Sequence, residues 1–446
     1  MEQRLENHMN DMTTGSPARI IIKFTIPILL GNLLQLAYNV IDMRLVGSFL
    51  GDSSLAAVGA TSVMYSLFIG FFMGIANGFA VTTARHFGGK DMDKVHIAFV
   101  SSLVMGILLA IVISLLCLVF LGPIMRFLNV PEDIFAESAG YIRIIIAGLV
   151  ITMIYDILMA SARAIGDSIT PLLTLFVSVG LNIAGDILFL GVLRTGVWGA
   201  AAATVASQAI TAAVCGIYIL NKYRFYRFQS GDLSRMEKDM MRSMMKTGIS
   251  MALMSSLINI GSFILQTAIN DLGNSYIVAQ SVARRITEIL MSVFVAVGHT
   301  MATYCSQNLG AERWDRIHQG MKAGYWITCL WCIIALIIVY TLAPTMICLI
   351  TGSSDTVMID AATEYLRIDS LLYVLVAIIF VQRNSMQGIG DAITPLVSSG
   401  IEMAGKIILA YTLVPALGYF GVILVEPIVW IFMIIPLIWK VRTWEN

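Results

Sequence analysis

Charged side chains are scarce in this chain of 446 residues. Asp, Glu, Lys and Arg make up only 13% of it, whereas hydrophobic residues make up 58%; a typical soluble protein carries about 25% charged residues. The stretches 195–221 and 323–354 contain no charged residue. Each is longer than the ~20 apolar residues that cross a bilayer. A water-soluble globular protein is therefore excluded, and a membrane protein is predicted.

Motifs of catalysis and metal binding are lacking as well. The chain has no GxxxxGK[ST] phosphate loop, no HExxH and no GxSxG, so an ATP-driven motor and the common hydrolases have no support. One CxxC, at Cys329 and Cys332, lies in an apolar run without histidine or acid neighbours. Lys plus Arg equal Asp plus Glu at 28 each. We predict a protein that is not an enzyme, needs no cofactor and binds no nucleic acid.

Twelve apolar runs predict twelve transmembrane helices, and hence an all-α membrane protein. The runs are continuous and lack the roughly ten-residue alternation of lipid-facing strands, so helices are favoured over a barrel. The predicted spans are 24–46, 60–83, 96–121, 140–160, 170–190, 198–220, 248–269, 280–304, 323–347, 366–386, 394–414 and 418–440.

Lys and Arg are distributed unevenly between the two sets of connections. If the N-terminus is cytoplasmic, the segments on that side hold twenty of these residues, whereas the opposite loops hold only Arg126 and Arg194. Cytoplasmic loops carry an excess of Lys and Arg. We therefore predict a multi-pass protein of the cytoplasmic membrane with both termini in the cytoplasm.

An internal repeat divides the chain into halves. Residues 161–172 (SARAIGDSITPL) return at 385–396 (SMQGIGDAITPL) with eight of twelve positions identical. Six helices per copy is an even number, so the two homologous six-helix lobes form a parallel repeat, related by an axis along the membrane normal. The predicted segments are a cytoplasmic N-terminal segment 1–23, a first lobe 24–220, a basic cytoplasmic linker 221–246, a second lobe 247–440 and a cytoplasmic tail 441–446.

Polar side chains inside the predicted spans are candidates for function because charges are costly in a bilayer. Asn39 and Asp42 lie three apart in the first span, Asn182 and Asp186 lie four apart in the fifth, and Thr204 lies in the sixth. At ~1.5 Å per residue all five lie roughly 6–12 Å from the outer end of their spans. Such a layer of oxygen atoms suits a small hard cation or an acid pair that shares a proton.

A structural interpretation of the same acids stays open from spacing alone. Asp42 could pair with nearby Arg44 at the outer interface, and Asp186 could reach solvent. Pro27 precedes Asp42 in the first span and removes a backbone hydrogen bond, so we predict a hinge at Pro27.

The second half contains further charges within its spans. Arg284 with Glu288, and Glu402 with Lys406, stand four apart and are predicted to form internal ion pairs. Glu426 has no partner nearby in sequence. It is a candidate for substrate contact.

Three other polar residues, together with Glu288, complete the set of candidates. Gln35 and Glu288 are further candidates for substrate contact. Asp156 and Asp369 fall near the ends of predicted spans and are expected at the membrane interface.

Several segments resemble the multidrug and toxic compound extrusion (MATE) family. They are PILLGNLLQLAYNVIDMRLVG in the first span, LAAVG at 55–59, the repeated IGDxITPL, NIAGD at 182–186 and CSQNLGAERWDRI at 305–317. The resemblance covers roughly residues 15–439 and agrees with twelve helices in two lobes.

The resemblance implies secondary active efflux by alternating access. Sodium ions or protons enter as the coupling ion, and cationic, amphipathic organic compounds leave. In one branch of the family a cation site uses an Asp of the first helix, an Asn and an Asp four apart in the fifth, and a Thr of the sixth. Asp42, Asn182, Asp186 and Thr204 match these positions and would hold Na⁺ if sodium is the ion; Pro27 matches the family's first-helix proline.

Two limits accompany this resemblance. Another branch carries an acid in its tenth helix, but 373–381 has none at the corresponding place. A lipid-linked saccharide flippase of the related superfamily is the alternative function, and its usual basic cavity is not expected here. We expect a monomer whose partners are organic cations and the lipid bilayer.

Overall fold

The chain is helical throughout the part that the structure describes. The structure is a computed structural model that describes residues 11–352 and 355–444, and it contains no strand in those ranges. The α-helices of the described chain are α1 Pro17–Leu50, α2 Asp52–Gly88, α3 Met92–Val119, α4 Leu121–Phe127, α5 Glu132–Ala164, α6 Ile169–Asp186, α7 Val197–Lys222, α8 Lys238–Asn270, α9 Asn274–Gly310, α10 Trp314–Thr351, α11 Thr356–Leu371, α12 Tyr373–Ile389, α13 Ile393–Leu417 and α14 Tyr419–Arg442.

Eleven helical segments in the described ranges are long and apolar enough to cross a membrane. Helices suit these segments because an α-helix satisfies its own backbone hydrogen bonds where water is absent. The predicted span 366–386 differs, because α11 ends at Leu371 and α12 begins at Tyr373. Between them the Leu372 amide donates to the Asp369 carbonyl at 3.1 Å, which makes a tighter turn than an α-helix has.

The chain divides into two compact units, which agrees with the predicted two-lobe fold. The first unit contains Leu30–Ala252, and the second contains Met12–Leu29 together with the chain from Leu253 onward. One division therefore falls within α1 and the other within α8. Each unit has its own apolar core.

The core of the first unit is built around α5, which packs against α2, α3 and α7. α2 also lies very close to the first half of α8. A Cβ atom added at Gly74 or Gly78 would collide with the backbone of Ala252 or Gly248. Small residues allow such close approach of helices within a membrane.

The core of the second unit has a similar arrangement around α9 and α14. α9 packs against α10, α11 and α12, and α14 packs against α13. The segment preceding α1 also belongs to this unit. Arg316 holds it through bonds to the carbonyls of Met12 and Gly15 at 3.1 and 2.9 Å, while its Nε donates to Asn308 at 3.0 Å. The 305–317 motif therefore anchors the start of the first helix.

The repeated IGDxITPL motif caps a helix in each unit. The Asp167 carboxylate accepts from the Thr170 amide at 2.9 Å at the start of α6, and the Asp391 carboxylate accepts from the Thr394 amide at 3.1 Å at the start of α13. A carboxylate in this position satisfies amides that the first helical turn leaves free. The identical spacing in the two copies thus has a local structural reason.

Asp167 has partners beyond its own helix. Its Oδ2 atom accepts from Lys222 Nζ at 2.9 Å and from the Tyr223 hydroxyl at 2.6 Å. Burial acts to raise the pKa of this carboxyl, but the bonds from Thr170, Tyr223 and Lys222 outweigh burial and hold the pKa below its ordinary value. The end of α7 is thereby fastened to the start of α6.

The basic segment after α7 packs on the first unit through His96. The two ring nitrogens of His96 lie 2.8 Å from the Phe225 carbonyl and 2.9 Å from Asp232 Oδ1. Tyr226 is fully buried beside Phe99. The predicted linker is therefore an ordered part of the first unit as far as these residues.

Candidate functional site

The inner face of α6 is polar along its whole length. The buried residues of this helix are Thr170, Thr174, Ser178, Asn182 and Asp186. They stand four apart, and residues four apart lie on one face of an α-helix. The exposed side chains of α6 include large apolar residues, as suits contact with lipid. The helix thus directs its polar side into the protein.

Asn182 lies at the centre of a hydrogen-bonded group. Its amide lies 3.2 Å from the Thr204 hydroxyl of α7. When its nitrogen faces Tyr38 Oη and Asp186 Oδ2, each at 3.0 Å, both ends of the amide are satisfied. Asp186 is completely buried. Residues of α1, α6 and α7 therefore meet at one point in the first unit.

Asp42 and Asp186 form an acid pair at this point. The two carboxyl groups interact directly with each other, and Tyr38 interacts with both. Asp42 Oδ1 and Asp186 Oδ1 are buried and have no hydrogen-bond partner among the described residues. Leaving a buried carboxyl oxygen without a partner is costly. A bound proton or a bound cation would satisfy these two oxygens.

The donor set fits a proton or a small hard cation. Carboxylate, amide and hydroxyl oxygens are the ligands that hard cations prefer, and two close acids can alternatively share one proton. Asp42, Asn182, Asp186 and Thr204, the predicted Na⁺ ligands, could supply such oxygens. No group of three or more His, Cys, Asp or Glu side chains that could hold a metal ion occurs in the described ranges.

The two structural alternatives for these acids do not agree with the geometry. Asp186 is 0% exposed and so does not reach solvent. Asp42 forms no ion pair with Arg44 in the described part of the chain, whereas it does interact with Asp186. The predicted convergence of α1, α6 and α7 side chains is present for four of the five residues.

Asn39 lies apart from this group. It is exposed, and its Oδ1 atom accepts from Gln35 Nε2 at 3.2 Å. Tyr38, its neighbour, is the buried residue that faces Asn182. Tyr38 is not among the residues predicted from the sequence, although it stands four residues before Asp42, and that spacing was the available signal.

Asp156 does not lie where the sequence predicts it. We expected it at the interface, but its Oδ2 atom is buried and has no hydrogen-bond partner among the described residues. The reason is the length of α5, Glu132–Ala164, which extends beyond the predicted span and leaves Asp156 within the helix. Tyr65 interacts with both Asp42 and Asp156.

The candidate acids of the second unit are mostly paired. Glu402 bonds with Lys406 at 3.0 Å, which confirms that predicted pair. Glu426 lacks a partner nearby in sequence, but Lys406 lies 2.9 Å from it across helices. Glu288 pairs with Arg285 at 3.3 Å rather than with Arg284, and it is half-exposed.

Asp369 is likewise not interfacial. Only 2% of it is exposed, and it interacts electrostatically with Glu426 and Lys406. It precedes Leu372, where α11 and α12 divide, so hydropathy alone placed it too close to the end of a span.

Comparison with known proteins agrees with this arrangement. The sequence profile of the MatE family matches residues 27–188 and again 250–412. The chain is 26% identical over 407 residues to the "Probable multidrug resistance protein YoeA" of Bacillus subtilis, covering 89% of this chain and 88% of that protein. It is 24% identical over 374 residues to the "Multidrug export protein MepA" of Staphylococcus aureus, covering 84% and 82%.

Solved structures share the fold. The "Crystal structure of MATE in complex with MaL6" superposes with a TM-score of 0.89 at 21% identity and covers 98% of both chains. A transporter from Pyrococcus furiosus, described as having a binding pocket of reverse polarity, superposes with a TM-score of 0.88 at 20% identity and covers 98% of this chain and 99% of its own. Because the family profile matches both halves of the chain, and both contain the repeated helix-capping motif, the chain belongs to the MatE family of membrane transporters.

Proposed function

We propose that this protein is a secondary active exporter that moves cationic, amphipathic organic compounds out of the cell in exchange for protons or sodium ions. The observation that carries the proposal is the Asp42–Asp186 pair, in which each carboxyl group has one buried oxygen without a hydrogen-bond partner among the described residues. Such a pair changes its charge when it takes up a proton or a cation. That change is the property an ion-coupled transporter requires.

The cost of burial supports a coupling role. An unpaired charge in the hydrocarbon region costs ~2.5–3.5 kcal/mol on insertion scales, and two neighbouring carboxylates also repel each other. A coupling ion removes both penalties. Thr204 and Asn182 supply neutral oxygens at the same place, and Tyr38 supplies a hydroxyl group.

The substrate class rests on the relatives and on charge. The similar proteins carry the names of multidrug resistance and multidrug export proteins, and an acidic site favours positively charged compounds. Gln35, Glu288 and Glu426 remain candidates for substrate contact. Glu426 is a weaker candidate than its sequence suggested, because Lys406 already pairs with it.

A saccharide flippase is the alternative function. Recognition of a lipid-linked phosphate would require cationic side chains that are free to bind it. The buried cations Lys406 and Arg383 instead lie 3.0 and 3.7 Å from Glu402. This pairing favours export of cations over binding of an anionic headgroup.

Pro27 is the proposed hinge of the alternating-access cycle. It lies inside α1, where it removes one helical hydrogen bond. Pro27→Ala would restore that bond and should lower gradient-driven efflux several-fold while leaving ligand binding intact. Full ion-coupled transport by the variant, measured beside ligand binding, would exclude the hinge.

The proposed membrane arrangement is multi-pass in the cytoplasmic membrane, with both termini in the cytoplasm and a single chain as the functional unit. The accessibility of a cysteine introduced at each terminus, compared in intact and permeabilised cells, tests the topology. Labelling of the termini in intact cells would contradict it.

The central experiment is ethidium efflux from membrane vesicles under a sodium gradient and, separately, under a pH gradient. Efflux by the wild-type protein under one gradient, lost in both Asp42→Asn and Asp186→Asn, is the expected result. Asp52→Asn is the matched control, because Asp52 is an exposed acid at the start of α2. Efflux that survives both substitutions would place coupling elsewhere, and no wild-type efflux under either gradient would favour the flippase.

A further inference from the structure

The internal repeat assigns residues of the first unit a counterpart in the second. The two IGDxITPL copies begin at 165 and 389, and α6 and α13 both begin at the isoleucine two residues after the capping aspartate. Counting from there, Ser178 corresponds to Glu402 and Asn182 corresponds to Lys406. Two of the polar residues on the inner face of α6 thus become charged residues on α13.

The last helix of each copy can be aligned in the same way. α7 and α14 both follow a glycine with positive φ, Gly196 at 75° and Gly418 at 59°. These two positions correspond, because glycine adopts such a φ without strain and each immediately precedes its helix. Counting from them, Thr204 corresponds to Glu426.

The corresponding residues make corresponding contacts. In the first unit the Asn182 amide lies 3.2 Å from the Thr204 hydroxyl. In the second unit the Lys406 ammonium lies 2.9 Å from the Glu426 carboxylate. The contact between these two helices is thus present in both copies of the repeat, between neutral side chains in the first and charged side chains in the second.

The Lys406 ammonium is surrounded by oxygen atoms. Its Nζ atom lies 3.0 Å from Glu402 Oε1, 2.9 Å from Glu426 Oε1 and 3.3 Å from Ser262 Oγ. An ammonium group has three N–H donors and no acceptor, so three oxygen partners satisfy it. Only 2% of Lys406 is exposed. Two carboxylates and a hydroxyl around one positive charge form the kind of oxygen shell that would hold a monovalent cation.

We propose that the Lys406 ammonium is a tethered counterpart of the exchangeable cation, and that it fills in the second unit the position that a coupling ion fills in the first. The inference rests on the proposed coupling role of Asp42 and Asp186. It follows that Glu402 and Glu426 serve the covalently attached charge rather than a mobile ion.

The charges near Lys406 agree with a cation position that the Lys406 ammonium already occupies. Arg383 lies 3.7 Å from the second oxygen of Glu402 and 3.3 Å from Ser399. The two glutamates are therefore matched by two basic residues. Asp369, on α11, faces this group and interacts electrostatically with Glu426 and Lys406, and its Oδ1 atom has no hydrogen-bond partner among the described residues.

The test removes the tether and asks whether a free cation takes its place. Lys406→Met is made in an Asp42→Asn/Asp186→Asn background, so that the first unit contributes no acid pair. Thermal unfolding of the purified full-length protein in detergent is then followed at increasing sodium and methylammonium concentrations. The expected result is an unfolding temperature that rises with methylammonium or sodium concentration, because a ligand that binds only the folded state stabilises it.

The matched control carries Glu402→Gln and Glu426→Gln in addition to Lys406→Met. Removal of both carboxylates should abolish the cation-dependent rise. An equal response, or an equal lack of response, in Lys406→Met with and without the two glutamine substitutions would overturn the proposal.

A second measurement does not depend on whether Lys406→Met folds. The Asp42→Asn/Asp186→Asn protein with Lys406 intact should show no saturable stabilisation by either cation, and Lys406→Arg should behave in the same way. Saturable stabilisation of either protein would show a second exchangeable site and overturn the inference. Loss of the proposed antiport function would instead appear as absent wild-type efflux, which these unfolding experiments do not measure.

Discussion

The two units use one helical framework for opposite electrostatic purposes. In the first, Asp42 and Asp186 face each other with unpartnered oxygens, and the groups beside them are neutral. In the second, Glu402 and Glu426 are both bonded to Lys406. Positions that set the backbone, such as the capping aspartates, are the same in both copies. The two copies of the repeat therefore share their helix-capping residues and differ in their buried charges.

The largest expected effect on stability comes from removing the positive charge of Lys406 in the second unit. Lys406→Met should lower the free energy of unfolding by about 3–5 kcal/mol, because it removes the cation bonded to Glu402 and Glu426 and leaves buried Glu402 only the more distant Arg383. The corresponding change Asn182→Met should cost about 1–3 kcal/mol, the loss of a buried hydrogen-bonded amide. Thermal unfolding of both variants in the same detergent measures the difference. Equal losses would mean that the two positions do not differ in electrostatic role.

A smaller effect distinguishes the two capping aspartates. Asp167→Asn should cost about 2 kcal/mol at neutral pH, because Asp167 also holds Lys222 and Tyr223. Asp391→Asn should cost well under about 1 kcal/mol, because asparagine caps a helix about as well as aspartate does. Unfolding temperatures of both variants against wild type measure the two losses.

The Asp167 effect also has a predicted pH dependence. Because its pKa is lower in the folded protein than in the unfolded chain, its stabilising contribution is complete above the unfolded value of about 4 and is lost as the pH falls through the folded value. The difference in unfolding temperature between wild type and Asp167→Asn should therefore narrow in acid. A difference that widens at low pH would contradict the assigned bonds.

The anchoring of the chain start is expected to change stability less. Arg316→Gln removes bonds to the carbonyls of Met12 and Gly15 and should cost about 1–2 kcal/mol. Amide hydrogen exchange in residues 11–16 should become faster. Arg313→Gln is the control, because Arg313 is exposed and pairs with Asp315 in its own turn. Unchanged exchange in the Arg316 variant would show that other contacts hold this segment.

The smallest effect is expected at Asn39. It is exposed and bonds with Gln35 rather than with the acid pair, so Asn39→Ala should leave ion-coupled efflux within about twofold of wild type. Tyr38→Phe, one residue away, removes the hydroxyl that faces Asn182 and should shift the dependence of efflux on ion concentration. Loss of coupling in Asn39→Ala would mean that Asn39 contributes to the ion site during transport.

Most of the helices and four of the five clustered polar residues could be predicted from the sequence. Long apolar runs determine helices because no other open structure satisfies its backbone in lipid, and four-residue spacing placed Asn182 beside Asp186. The three-residue spacing between Asn39 and Asp42 predicted that Asn39 joins the cluster, which is wrong. Its neighbour Tyr38, four residues before Asp42, lies on the same helix face and occupies that place. The rest depended on contacts between helices, such as Lys406 with Glu426, for which sequence distance gives no signal.

The polar face of α6 has a consequence for how this helix tolerates substitution. Thr170, Thr174, Ser178, Asn182 and Asp186 form a line of buried polar groups, whereas several large apolar side chains on the other sides of the helix are exposed. Exchanges among Leu, Ile, Val and Phe on the outer sides should therefore be nearly neutral, and the inner line should accept only side chains of similar size and polarity. In a population of variants, α6 would thus show variation with a period of about four residues, and the invariant positions would trace the path from the helix cap to the acid pair.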